Sequence, residues 1–197
     1  MIRHPISRAC MLALALAAAA PLAHAVKPAD SATLPAPDAA LQAAIDGNWR
    51  DPANTARDKY RHPGQTLAFF GIRPDMTVVE ITPGGGWYAE ILAPYLAGDG
   101  KYVAAIVDPA AFEAGRQRDY YQKGKDGLAK MFADAPAQFG KAAVVAYDPK
   151  APSFGAPGSA DMVVTFRNVH NWRGAGQAEG MFKGFYEVLK PGGVLGV

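Results

Sequence analysis

Thr77-Val-Val-Glu-Ile-Thr-Pro-Gly-Gly-Gly86 runs a short β-rich segment straight into a glycine turn, and Trp87 to Leu96 continues with helical spacing. Ile91, Leu92 and Tyr95 fall on one side of that helix, and Pro94 is placed to distort its last turn. A strand, a glycine turn and a helix form the opening unit of an α/β domain, and the rest of the chain repeats the alternation. Tyr102–Val107 is a second strand ending at Asp108-Pro109, and a charged helical stretch follows from about Ala111 to Ala133. Ala142–Tyr147 is a third strand ending at Asp148-Pro149, and Asp161–Phe166 is a fourth. Met181, Phe182, Phe185, Val188 and Leu189 give an apolar stripe for a last helix, stopped by a turn at Lys190-Pro-Gly-Gly193. Val194–Val197 then begins a fifth strand.

Apolar strands without strict alternation, separated by helices, predict a parallel sheet covered on both faces. The expected fold class is therefore α/β, a Rossmann-like doubly wound sheet. Right-handed crossovers bring the strand-to-helix loops to one carboxyl edge, where ligands of such sheets bind. Thr82–Gly86, Asp108, Asp148 and Arg167–Trp172 all arrive there. Upstream, Pro63–Phe70 reads as a helix ending at Gly71, and 37–60 as helical pieces broken by Gly47 and Asp51-Pro52.

The first 25 residues read as an address. Arg3 and Arg8 precede an apolar run from Met11 to Ala20, and Ala23-His24-Ala25 supplies a small-x-small cleavage site. That run is well short of the roughly 20 residues a membrane-spanning helix needs. The expectation is a Sec-type signal cleaved after Ala25, a periplasmic or secreted product, and no stable membrane anchor after cleavage. A tail and helical extension at 26–60 would then lead into an α/β domain at 61–197. The only cysteine, Cys10, leaves with the signal, which excludes thiol catalysis and thiolate metal sites in the mature chain. Only His62 and His170 remain of four histidines, so no metal site is expected. The net charge of +2 resides in Arg3 and Arg8. The balanced remainder lacks the basic surface that gripping nucleic-acid phosphates requires, so no nucleic-acid partner is expected.

Gly84, Gly85 and Gly86 let the backbone turn tightly and approach a ligand, and the following helix start favours an anionic group. Glu80 beside the turn would attract an ammonium or a sugar hydroxyl. Asp108 follows Gly86 by 22 residues, about the spacing at which a second-strand carboxylate meets a ribose diol. An anion loop beside a carboxylate suits an amino-acid zwitterion carrying a nucleoside. The spacing Gly84-x-Gly86-x-x-Ala89 also satisfies the dinucleotide fingerprint in its alanine form, so an NAD-type enzyme stays open as an alternative.

Glu80–Gly86, Asp108, Asp148, Asp161-Met-Val-Val and Leu189-Lys-Pro-Gly-Gly193 together resemble, in order and spacing, the class I methyltransferases dependent on S-adenosylmethionine. The stretch from Arg61 to Leu96, with His62-Pro63, Phe69-Phe70-Gly71 and Pro83-Gly-Gly-Gly-Trp87-Tyr88, is similar to an exported subgroup of predicted methyltransferases. The likeness spans about Arg57 to Val197. It implies S-adenosylmethionine as cofactor and a small-molecule or otherwise unidentified methyl acceptor. It implies that Glu80 and Gly84–Gly86 hold the methionine part, Asp108 the ribose, and Tyr147 with Asp148 the adenine. Thr82 stands where the family pattern has its first glycine, and its hydroxyl is a candidate for the cofactor carboxylate. Arg167 and Asn168 are further cofactor-binding candidates, and His170 is the candidate general base. Such domains continue past the fifth strand with a helix and an antiparallel strand pair, so the domain is expected to be C-terminally incomplete. An exported protein that keeps the fold and binds without catalysis is the other alternative.

Overall fold

The computed structural model describes residues 35–197; the expected signal and its cleavage site lie outside them. Five strands form one parallel sheet: β1 (Thr77–Ile81), β2 (Lys101–Val107), β3 (Ala143–Tyr147), β4 (Ala160–Thr165) and β5 (Leu189–Gly196), in the spatial order β3-β2-β1-β4-β5. The chain therefore moves outward from β1 to β3 and returns to the other side of β1 with β4. That reversal is the topological switch point at which open α/β sheets hold their ligands.

The period of two in the strands splits the core in two. Val78, Tyr102, Ala104, Ile106, Met162 and Val164 face one layer, where α1 (Ala39–Ile45), α4 (Pro63–Phe69) and α5 (Ala89–Tyr95) contribute Leu41, Leu67, Ile91 and Leu92. Val79, Ile81, Val103 and Val163 face the other, against Trp172 of α8 (Val169–Gly174) and Met181, Phe185 and Val188 of α9 (Ala178–Val188). β1 lies at the centre because Val78, Val79 and Ile81 are all buried.

Leu41 and Ala44 share their core with Ile91, so 39–61 packs into the domain and shows no boundary at residue 60. The join is held by polar groups. Asp38 caps α1 through the Leu41 N–H at 2.7 Å and accepts from the Tyr95 hydroxyl at 2.8 Å. Pro94 has no N–H, which frees the carbonyl of Glu90 four residues earlier, and the Trp49 indole donates to it at 2.9 Å. Arg50, between α1 and α2 (Pro52–Thr55), is wholly buried. It donates to the Ile45 carbonyl at 2.7 Å and to both oxygens of Asp58 at 2.5 and 3.0 Å; Asp58 opens α3 (Asp58–Arg61). Its Nε lies 3.7 Å from a Glu90 carboxylate oxygen.

Three local expectations are corrected. β3 is an edge strand whose Val144 and Ala146 face solvent, so the sheet is not covered on both faces there. The Lys190–Gly193 turn is instead a bulge inside β5: Leu189 pairs with Ala160 and the next partners are Val194 and Met162. Gly192, at φ +83°, supplies the bend, and Lys190 reaches Asp161 at 2.7 Å. The charged helix, α6 (Arg116–Asp134), begins later than expected because Asp108 caps a short 3₁₀ turn at Pro109–Ala111. α7 (Pro136–Phe139) then leads into β3.

Candidate functional site

The turn after β1 is built by alternating left-handed residues: Thr82 at φ +54°, Gly84 at +60° and Gly86 at +80°. Glycine takes that conformation freely, whereas a β-branched residue is strained in it. Thr82 is held there from two sides. Its N–H donates to the Ala105 carbonyl at 2.8 Å, and its hydroxyl lies 2.8 Å from the Tyr147 hydroxyl. Thr82 thus takes left-handed backbone without being glycine, and a hydroxyl–hydroxyl bond across the strand ends holds it in place.

Two cavities open at this carboxyl edge. One, of about 510 Å³, lies between Thr82–Gly85, the end of β2 and the α6 residues Gly124, Leu128 and Met131. The other, of about 380 Å³, is bounded by Tyr147, Gln117, Asn168, Asn171 and Trp172. Thr82, Val107, Tyr120 and Tyr121 line both, so the two form one cleft divided by α6 tyrosines. Volumes of this size are those of small-molecule sites. A Cβ built on Gly84 or Gly85 meets nothing within 4 Å, so the backbone there faces open space.

Of the residues singled out in the sequence, Thr82, Gly84, Gly85, Tyr147 and Asn168 line the cleft. Asn168 is fixed by donating to the Thr165 hydroxyl at 3.1 Å and to the Ile81 carbonyl at 3.4 Å. Gly86 is buried under Met131, whose methyl carbon would sit 2.8 Å from an added Cβ. Asp108 is half-buried at the end of β2, with one oxygen capping the Ala110 N–H at 2.9 Å. Asp148 is exposed and closes its own turn on the Lys150 N–H at 2.8 Å, which leaves it a turn former. Arg167 and His170 are exposed and line neither cavity. His170 sits on α8 one residue before Asn171 and two before Trp172, which do face the cleft; helical rotation turns it away.

Glu80 is the other displaced candidate. It points to the α5 side of the sheet, 3% exposed, and accepts from the Tyr102 hydroxyl at 2.7 Å. Burial pushes its carboxyl up to about 7, against the pull of the Tyr102 hydrogen bond. The folded state therefore holds the Glu80 proton more tightly than the unfolded chain, whose carboxyl titrates near 4.5. The stability this confers is full below 4.5 and is lost as pH rises through 7, by roughly 3 kcal/mol in all. Urea unfolding across that window should show the decline in wild type and a flatter curve in Glu80→Gln. An equal slope in both proteins would place the titration elsewhere.

Tyr102 and the α6 wall stand outside the motifs of the sequence. Tyr102 pairs with Val78 and so lies diagonally opposite Glu80 on the same face, a signal legible only once β1 and β2 are in register. Gly124 and Gly127, three apart on a charged helix, were the available sign that one side of α6 leaves room for something.

No protein-family model matches the chain, and no curated protein does. Among solved structures, a SAM-dependent methyltransferase from Aquifex aeolicus is similar at 18% identity over 72% of this chain and 63% of its own, with a TM-score of 0.48. A possible exported protein from Bordetella parapertussis is similar at 25% identity over 74% of this chain and 43% of its own, with a TM-score of 0.46. An arsenic(III) S-adenosylmethionine methyltransferase from Chlamydomonas reinhardtii is similar at 15% identity over 82% of this chain and 48% of its own, also at 0.46. The chain spans less than two thirds of the length of each.

Proposed function

We propose that the chain binds S-adenosylmethionine in the cleft at the glycine turn and serves methyl transfer to an acceptor. The observation that carries this reading is the turn itself: three left-handed residues, two of them glycines, at the switch point of a parallel sheet, with open backbone facing a two-lobed cleft. The donor set fits such a group. Backbone of Gly84 and Gly85 faces the cleft, as backbone must to approach a carboxylate. Tyr147, Asn168 and Gln117 offer polar atoms in the other lobe, whereas Asp108, capping the Ala110 N–H at the end of β2, lines neither lobe.

The cofactor, when bound, supplies a methyl group already activated on a sulfonium. The protein's part is then alignment and exclusion of water. Tyr120 and Tyr121 wall both lobes, Thr82 and Tyr147 fix the floor through their hydroxyl pair, and Asn168 fixes the exit of β4. Among the described residues, no histidine or carboxylate lines either lobe. This favours an acceptor that needs no protein base, or the second reading, an exported binder without turnover.

The test is a titration with S-adenosylhomocysteine followed by amide resonances. The Gly84, Gly85 and Gly86 signals are expected to shift and saturate together with those of Thr82 and Asn168. Shifts confined to surface residues would sink the proposal, and saturation by NAD alone would replace it with a dinucleotide enzyme.

A further inference from the structure

The two lobes of the cleft differ in charge. Among the described residues, Lys123 and Lys125 of α6 line the lobe at the glycine turn, whereas no charged side chain lines the smaller lobe. That smaller lobe, of about 380 Å³, is walled by aromatic rings and side-chain amides. Phe112 and Tyr121 stack at 5.0 Å, and both line it together with Tyr147 and Trp172.

The wall running from α8 to the start of α9 keeps unused hydrogen-bonding groups. Trp172 is 6% exposed, and its ring is fixed against Phe185, with ring centres 5.5 Å apart. Among the described residues its indole N–H meets no acceptor, whereas the indoles of Trp49 and Trp87 both donate. Arg50 Nε and Glu90 Oε2 are the only unpaired side-chain atoms sealed from water among those residues. The Trp172 N–H therefore belongs to the small part of the ring that stays open, where Trp172 lines the lobe. Asn171 and Gln177 present further unpaired amides on the same wall. A donor held in this way calls for an acceptor atom, and polar groups set between aromatic rings suit a flat, uncharged, hydrogen-bonding ring.

The lobe at the glycine turn, at about 510 Å³, is by itself of the size of a complete small-molecule site, and its lysines suit the carboxylate of the cofactor. The uncharged lobe is then left for the acceptor. Among the described residues no carboxylate or histidine lines either lobe, which favours an acceptor with no proton to lose. A ring nitrogen of the pyridine type meets that condition. Its in-plane lone pair forms the bond to the methyl carbon as the carbon–sulfur bond breaks. The positive charge passes from sulfur to the ring nitrogen, a thioether leaves, and no proton moves. The aromatic walls then stand beside the cation that has formed, a favourable arrangement.

We propose that the smaller lobe takes an uncharged aromatic nitrogen heterocycle as methyl acceptor, recognised by Trp172, Asn171 and Gln177. The acceptor role rests on the function proposed above; recognition of the ring does not. The adenine of the cofactor offers the same flat-ring chemistry, and the experiment separates the two sources.

The full chain is titrated with quinoline, and with benzoate as its charged counterpart, with and without saturating S-adenosylhomocysteine. The three indole N–H resonances report the result. The Trp172 signal is expected to move and saturate with quinoline, alone and beside bound S-adenosylhomocysteine, while Trp49 and Trp87 stay in place. Benzoate is expected to move none of them. Trp172→Phe, which keeps a ring in the core, and Asn171→Ala, at an exposed position, are each expected to weaken quinoline binding about fivefold, the worth of one neutral hydrogen bond. S-adenosylmethionine is expected to convert bound quinoline to N-methylquinolinium. Displacement of quinoline by S-adenosylhomocysteine would overturn the proposal by assigning the lobe to adenine, and simultaneous binding that yields no N-methylquinolinium would overturn it as well. Uptake of S-adenosylhomocysteine with no quinoline shift at Trp172 would overturn it and leave the cofactor reading standing. Saturable shifts at Trp172 in a chain that takes up no S-adenosylhomocysteine would uphold the ring site and remove only the methyl-transfer reading.

Discussion

Gly84→Val should weaken S-adenosylmethionine binding by about 100-fold or more, equivalent to roughly 3 kcal/mol, while most of the protein remains folded. Gly84 has φ +60°, and an L-residue in that conformation costs about 1–2 kcal/mol. An added side chain meets no protein atom within 4 Å of its Cβ, so the fold has room for it and the cleft does not. Valine also removes the close backbone approach on which anion binding at the turn depends. Thr82→Gly is the matched control. It relieves left-handed strain at φ +54° and loses the Tyr147 hydroxyl partner, two changes of about 1–2 kcal/mol each and of opposite sign. Calorimetry for affinity and urea unfolding for stability check both variants. Near-normal affinity in Gly84→Val would mean that the ligand does not touch the turn.

Arg50→Ala should be the most destabilising single change in the N-terminal helices, by about 3–5 kcal/mol. Its guanidinium is fully buried, and its removal strands Asp58 and the Ile45 carbonyl, both of which it now satisfies. Glu90 suffers less, because burial already favours its neutral form and Asn54 donates to it at 2.8 Å. Thermal unfolding of a chain this size should fall by roughly 6–20 °C. Adding Asp58→Asn to Arg50→Ala should recover part of the loss by removing the stranded charge. A change below about 1 kcal/mol would show that the pair contributes no more than an exposed ion pair does.

The sheet was legible because β1, β2 and β4 are apolar without alternation, as strands buried on both faces must be. Thr77–Ile81 is placed residue for residue as read. β3 was less legible: Ala142–Tyr147 looks equally apolar, and only the packing shows that Val144 and Ala146 lie at an uncovered edge. Lys190-Pro-Gly-Gly193 carries every local mark of a turn, yet its glycines serve a bulge whose ends pair with β4, and local signals do not separate the two. In the site, glycine chemistry was readable from sequence, since left-handed backbone at Gly84 and Gly86 is a property of those residues. The roles of Glu80 and His170 were not. Which face of a strand or helix a side chain takes is set by one residue of register, and that sends Glu80 to Tyr102 and His170 to solvent.

If the cleft at the glycine turn takes S-adenosylmethionine, isothermal titration of the chain with S-adenosylmethionine shows it most directly. Saturable binding at one site per chain, matched by S-adenosylhomocysteine, absent with NAD and lost in Gly84→Val, is the result this structure predicts. No saturable heat with wild-type protein, or binding that Gly84→Val leaves intact, would contradict it.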